Sequence, residues 1–179
     1  MGRRDLDWTQ TLLDVIDLRS FSSLWYWIAL AVAWSSASHW VLGVPFDVIM
    51  RARRHGGQAA ADLDALARIN VRRLLGIAEA SGLWLVGGVT FVLSALLALA
   101  VWYRVELAQA VLFLAGPMTA VGALSLHAAR GIEEADLEGA ELVARLLRHR
   151  FWTQGVGMAS IFATALFGMY HNLAALRAW

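Results

Sequence analysis

Four long stretches of this sequence carry almost no charge, and nothing else in it restricts the fold as much. They are 21–42 (FSSLWYWIALAVAWSSASHWVL), 83–103 (LWLVGGVTFVLSALLALAVWY), 105–126 (VELAQAVLFLAGPMTAVGALSL) and 151–173 (FWTQGVGMASIFATALFGMYHNL). Apart from Glu106 at one boundary, none contains Asp, Glu, Lys or Arg. A helix of about 20 apolar residues crosses the ~30 Å hydrocarbon core of a bilayer. In that core each backbone N–H and C=O must be satisfied within the segment, which selects helices. The polar/apolar alternation of a membrane β-barrel is absent. The expected fold class is an all-α membrane protein: one domain over 1–179 with four transmembrane helices, plus amphipathic cytoplasmic and N-terminal helices.

Composition excludes several alternatives. Hydrophobic residues make up 59% of the chain and charged ones 16%, with a mean hydropathy of +0.57. A disordered chain needs the opposite balance. There is no Cys, so thiolate nucleophiles, cysteine-held zinc and cysteine-held iron–sulfur clusters are excluded. A formal net charge of +1 gives no reason to expect nucleic-acid binding.

Aromatic residues mark the ends of the stretches, where Trp and Tyr sit at the two membrane surfaces. The expected belt is Trp25, Trp27, Trp40, Trp84, Trp102, Trp152 and Tyr170. Trp84 to Trp102 spans about 27 Å at 1.5 Å per residue, and Trp152 to Tyr170 spans the same. Four crossings put 43–82 and 127–150 on one side, and the termini with the short turn at Arg104 on the other. The first side carries ten arginines and the second five. The positive-inside rule then makes the first side cytoplasmic and both termini periplasmic. No cleavable signal peptide is expected, because Asp5, Asp7, Asp14 and Asp17 interrupt the region after Arg3 and Arg4. Residues 1–20 read instead as an amphipathic segment, lying on the membrane surface or docking on a partner.

Between the stretches, 45–80 and 131–150 read as cytoplasmic helices. Pro45 suits a first helical turn, so 45–55 forms a short basic helix that Gly56–Gly57 ends. Its Arg51, Arg53 and Arg54 sit beside the bilayer and are expected to meet anionic lipid headgroups. Residues 58–80 form a second helix with Leu63, Leu66, Asn70, Leu74 and Ile77 on one face and an Asp64–Arg68 pair on it. Ser81–Gly82 is expected to separate it from the second stretch. In 131–150 acidic residues come first and basic ones last, which complements a helix dipole. An ion pairing of that acidic half with the 51–54 run is expected. Glu134, Glu138 and Glu141 are weighed as a cation site and read instead as a solvated face.

Small residues mark close helix approaches in a membrane. In the fourth stretch Gly155, Ala159 and Ala163 form one stripe, and Ser160, Thr164 and Gly168 the adjoining one. Such a face packs within the bundle or against another chain. Pro117 cannot donate to the carbonyl of Phe113, so a kink is expected there. His39 and His127 lie at the same expected depth, the pattern for bis-imidazole ligation of haem b across a bundle. Interfacial hydrogen bonding is the plainer role for both. No nucleophile elbow, Walker loop, HExxH or dinucleotide fingerprint occurs.

The stretches IDLRSFSSLWYWIALAVAWSSASHWVLGVPFD, ARINVRRLL and GMASIFATALFGMYHNL together resemble an uncharacterised family of small bacterial inner-membrane proteins. Members of it are in places described as a component of the SUF iron–sulfur assembly complex. The resemblance covers most of the chain. It implies a multi-pass protein of the bacterial inner membrane with a protein-complex partner, and it supplies no catalytic residue.

The expected function is non-enzymatic: an accessory, assembly or stabilising subunit of a larger bacterial inner-membrane complex, for example a bioenergetic one. The spans hold no acid or base for a proton or ion relay, while the small-residue faces and surface helices suit docking. A haem-b electron-transfer protein using His39 and His127, and a small transporter or oligomeric channel, are the alternatives. Expected partners are the bilayer, its anionic headgroups, and a membrane complex or a second copy of the chain. No cofactor other than that haem is expected.

Overall fold

The computed structural model of the chain describes residues 24–176. The amphipathic segment expected over 1–20, residues 21–23 of the first apolar stretch, Arg177 and the side chain of His171 lie outside the described residues. Apart from one minimal hairpin the described chain is all-α: α1 (Leu24–His39), β1 (Trp40–Val41), β2 (Val44–Pro45), α2 (Phe46–His55), α3 (Gly57–Val101), α4 (Glu106–Glu134) and α5 (Gly139–Leu176). Two of these helices, α3 and α4, are long and apolar enough to cross a membrane. The described part of α1 has 16 residues. In α5, Thr153, Gln154, Ser160 and Thr164 dilute the apolar run.

The first apolar stretch leaves the helix three residues before its expected end. Leu42 and Gly43 both have positive φ, 52° and 78°, as a two-residue type I′ turn requires. Val41 pairs with Val44 across it. Pro45 lies before α2, in extended geometry, rather than inside its first turn. Asn70 explains why a polar residue stands on an apolar helix face. Its amide donates to the carbonyls of Gly43 (3.3 Å) and Leu66 (3.1 Å), tying the turn to α3.

Two expected helix boundaries change. Ser81–Gly82 does not break the chain, and α3 runs straight through it. An isolated glycine costs a helix only about 1 kcal/mol, and the Ser81 hydroxyl is satisfied inside the helix by the Ile77 carbonyl (2.8 Å). Conversely, 131–150 is not one helix. Helix α4 ends at Glu134, and a Schellman turn follows: Leu137 N–H returns to Ile132 O (3.1 Å) and Asp136 N–H to Glu133 O (3.3 Å). Asp136 takes the left-handed position with φ 43°, which Asp tolerates better than most residues. The expected dipole complement is therefore lost, because Glu133 and Glu134 sit at the C-terminus of α4.

The partners of the turn also differ from expectation. Arg68 bridges Asp136 (2.9 Å) and Glu138, so it does not pair with Asp64. Asp64 instead accepts the N–H of Gly139 at the start of α5 (3.0 Å). The acidic residues of the turn thus meet Arg68 of α3, not the 51–54 run.

The core gathers Val41, Leu42, Val44, Ile49, Ala52, Leu63, Ala67, Val71, Ala128, Ala129, Ile132, Leu142, Val143 and Leu146. All but Val41 and Leu42 lie outside the four apolar stretches. This hub joins α2, the first half of α3, the end of α4 and the start of α5. Beyond it α3 packs chiefly on α4, α4 on α5 and α1 on α5.

Inside the apolar part, one contact resolves the problem posed by Pro117. Helix α4 continues through the proline, whose missing N–H leaves the Phe113 carbonyl without its helical donor. Ser160 of α5 donates its hydroxyl to that carbonyl (2.9 Å). Phe113 and Phe167 pack beside it with ring centroids 5.0 Å apart. Gly157 lets α1 and α5 close together: a Cβ there would meet the Trp34 ring at 2.7 Å.

Two outcomes follow for thermal or denaturant unfolding in detergent. Leu63→Ala or Leu146→Ala, both fully buried, is expected to cost about 2–5 kcal/mol, whereas Phe91→Ala, on the exposed face of α3, costs under ~1 kcal/mol. Ser160→Ala is expected to cost about 1–2 kcal/mol in the wild-type background and less than half of that in Pro117→Ala, where the restored N–H serves Phe113.

Candidate functional site

The expected site residues fall into separate regions. His39 ends α1, exposed, with its ring edge-on to Trp40 at 5.7 Å. His127 lies on α4 and lines a cavity that His39 does not share. Arg51, Arg53 and Arg54 are exposed on α2, with Arg51 4.0 Å from Asp47. Among the belt residues Trp25, Trp40, Trp84, Trp102, Trp152 and Tyr170 are exposed, and Trp27 is half-buried. The two small-residue stripes separate. Ser160, Thr164 and Gly168 are buried against the bundle, while Ala159 and Ala163 face outward with Gly155 half-buried.

The densest grouping of chemically capable side chains is the cavity beside His127. It has a volume of about 300 Å³ and is lined by Leu124, His127, Ala128, Arg145, Arg148, His149 and Trp152. Helix α4 supplies positions i, i+3 and i+4, and α5 supplies i, i+3, i+4 and i+7. Each set is one face of a helix, so the cavity is the groove where those two faces meet. It sits where the third apolar stretch ends and the fourth begins.

Two guanidiniums and two imidazoles contribute to the lining, and no carboxylate does. His149 is buried. The Ser125 hydroxyl gives its one proton to Val121 O (2.8 Å), so at its 3.3 Å contact with His149 Nε2 the imidazole is the donor. Burial, and secondarily the charge of Arg145, hold the His149 pKa below its ordinary 6.5. His149 is therefore neutral at pH 7. Arg145 folds over Gly131, where a Cβ would lie 2.7 Å from its Nη2. Arg150, two residues after Arg148 and so on the other side of α5, points elsewhere: it stacks over Phe46 (3.8 Å) and donates to Ser38 O (3.1 Å).

Chemically this groove offers hydrogen-bond donors and positive charge beside an apolar wall. It presents no nucleophile with a base, and no group of three or more metal-ligating side chains occurs among the described residues. The sequence reading placed the basic site on α2 and did not single out His149. The signal was there in the R-x-x-R-H-x-x-W spacing of 145–152, with H-A at 127–128 as its counterpart on α4.

The sign of the pH effect is fixed by the depressed pKa. Between the ordinary value of 6.5 and the lower folded value, the unfolded chain binds more protons than the folded one, so stability falls as pH falls through that window. Above 6.5 the contribution is constant. The unfolding midpoint of the wild type is expected to drop between pH 7 and pH 5 by more than that of His149→Gln, measured in the same detergent.

No protein-family model matches the sequence, and neither a curated protein nor a solved structure matches it.

Proposed function

We propose that this chain is a four-span integral protein of the bacterial inner membrane, and that it acts without catalysis as an accessory, assembly or stabilising subunit of a larger membrane complex. In this reading α1 and the 151–173 part of α5 join α3 and α4 in the bilayer. Both termini face the periplasm and the helical hub faces the cytoplasm, where its arginines lie.

The observation that supports it is the exposure of the apolar half of α3. From Leu83 to Val101 only Ala100 is buried. Leu83, Trp84, Val86, Phe91 and Val101 are all more than half exposed. A core helix of a water-soluble domain with this composition would be wrapped in protein. A face of this size needs lipid or partner helices around it. The outward Ala159 and Ala163, with the half-buried Gly155 one turn before them, give a second chain a place for close backbone approach. The lack of Asp, Glu, Lys or Arg inside the spans favours a structural over an ion-carrying role.

Purification of the tagged chain from its native membrane in mild detergent, followed by mass spectrometry, tests the subunit role. A fixed set of membrane proteins is expected in the eluate. Ala159→Leu with Ala163→Leu is expected to weaken its retention about tenfold, the equivalent of ~1.4 kcal/mol. A monodisperse monomer carrying nothing else contradicts the proposal.

A further inference from the structure

The cationic groove between α4 and α5 has an unmet chemical requirement. The other arginines that organise the fold have partners: Arg68 holds two carboxylates, and Arg150 lies on Phe46 and Ser38. Arg145 and Arg148 make no ion pair among the described residues. The Nε of Arg145 is buried without any hydrogen-bond partner. A guanidinium stays charged at every physiological pH, and burying a polar N–H without a partner is costly. A group that brings acceptors and negative charge into the groove satisfies both.

We propose that this groove binds a phosphate group through Arg145 and Arg148, with His127 adding a donor at its rim. Arginine matches phosphate oxygens in a bidentate fork. Gly131 contributes by its lack of a side chain, which leaves the space that the Arg145 guanidinium occupies. Leu124, Ala128 and the exposed ring of Trp152 form an apolar wall beside the charges. That combination suits the headgroup of an anionic phospholipid, whose phosphate enters the groove while its acyl chains follow the wall. A free phosphate compound shares the phosphate chemistry but not the use of that wall. The lipid source rests on the membrane reading above, whereas the phosphate site itself does not.

The test uses the full chain in neutral detergent. Phosphatidylglycerol, phosphatidylcholine and inorganic phosphate are titrated separately, with binding read by native mass spectrometry and by quenching of tryptophan fluorescence. Phosphatidylglycerol is expected to bind at least about tenfold more tightly than phosphatidylcholine. Arg148→Gln, an exposed position that leaves the core untouched, is expected to remove about tenfold of that affinity, the cost of one good charged contact. Gly131→Ala, which pushes the Arg145 guanidinium aside, is expected to weaken binding in the same direction while the unfolding midpoint stays close to that of the wild type. Arg53→Gln with Arg54→Gln is expected to leave the affinity unchanged.

Inorganic phosphate that binds alone with the same dependence on Arg148 supports the phosphate site and assigns it to a free compound. Equal binding of both lipids that is unchanged in Arg148→Gln, with no response to phosphate, overturns the proposal. So does a loss in Arg53→Gln/Arg54→Gln that equals the loss in Arg148→Gln. Recovery of the chain in water without detergent removes the lipid source only, and the phosphate titration then decides the site.

Discussion

Between Leu83 and Val101 the chain offers nineteen residues without a charge and buries one of them, Ala100. In water that arrangement is unfavourable by roughly 25 cal/mol for each Å² of apolar surface left exposed, and a fold with an alternative would take it. In the proposed reading an apolar solvent around α3 and α4 removes that penalty. The interior that the chain does build is the hub around Leu63, Leu142 and Leu146, assembled from segments that carry the charges. Hydrophobic burial therefore organises the charged segments around the hub, and helical hydrogen bonding organises the apolar halves of the long helices.

Within the apolar part the few polar side chains act on the backbone. Ser160 supplies the donor that Pro117 removes, and Gln109 donates to Ala100 O (3.0 Å) near the end of α3. Thr164 and Ser125 return their hydroxyls to carbonyls one turn back. Such contacts are the usual means by which proline and helix ends are accommodated where water is scarce. They also explain why the stripe Ser160–Thr164–Gly168 faces inward while its neighbour Ala159–Ala163 does not.

Much of this was legible in the sequence. The helical class, the apolar character of α3 and α4, the stop at Gly56 and the end of α3 near Tyr103 follow from composition and from the strongest breakers. Most of the misses have a common cause in contacts distant along the chain; Ser81–Gly82 is the exception. Ser81–Gly82 has the look of a break, yet the helix passes through because one glycine costs little and the Ser81 hydroxyl is satisfied by the Ile77 carbonyl within the helix. The turn at 135–138 has no glycine at its left-handed position. It is held by Arg68 and Asp64, about 70 residues away. Asn70 on an apolar face anticipates a partner, but its partner, the Gly43 carbonyl, is visible only in three dimensions. The cationic groove was half visible: the spacing of Arg145, Arg148, His149 and Trp152 on one helix is regular, while the meeting with His127 depends on how α4 and α5 pack.

The two proposals divide the molecule between them. One concerns what covers the outward faces of α3 and α5, and the other what occupies the groove between α4 and α5 where the hub meets the apolar halves. The subunit role and the lipid source of the phosphate depend on oil surrounding the apolar halves; the phosphate site itself does not. Because the chain has no cysteine of its own, a single spin label can be placed at Phe91→Cys or Val92→Cys in the full chain reconstituted in vesicles. The account predicts ready collision with dissolved oxygen and almost none with a water-soluble nickel chelate. Collision with the nickel chelate at these positions would contradict it.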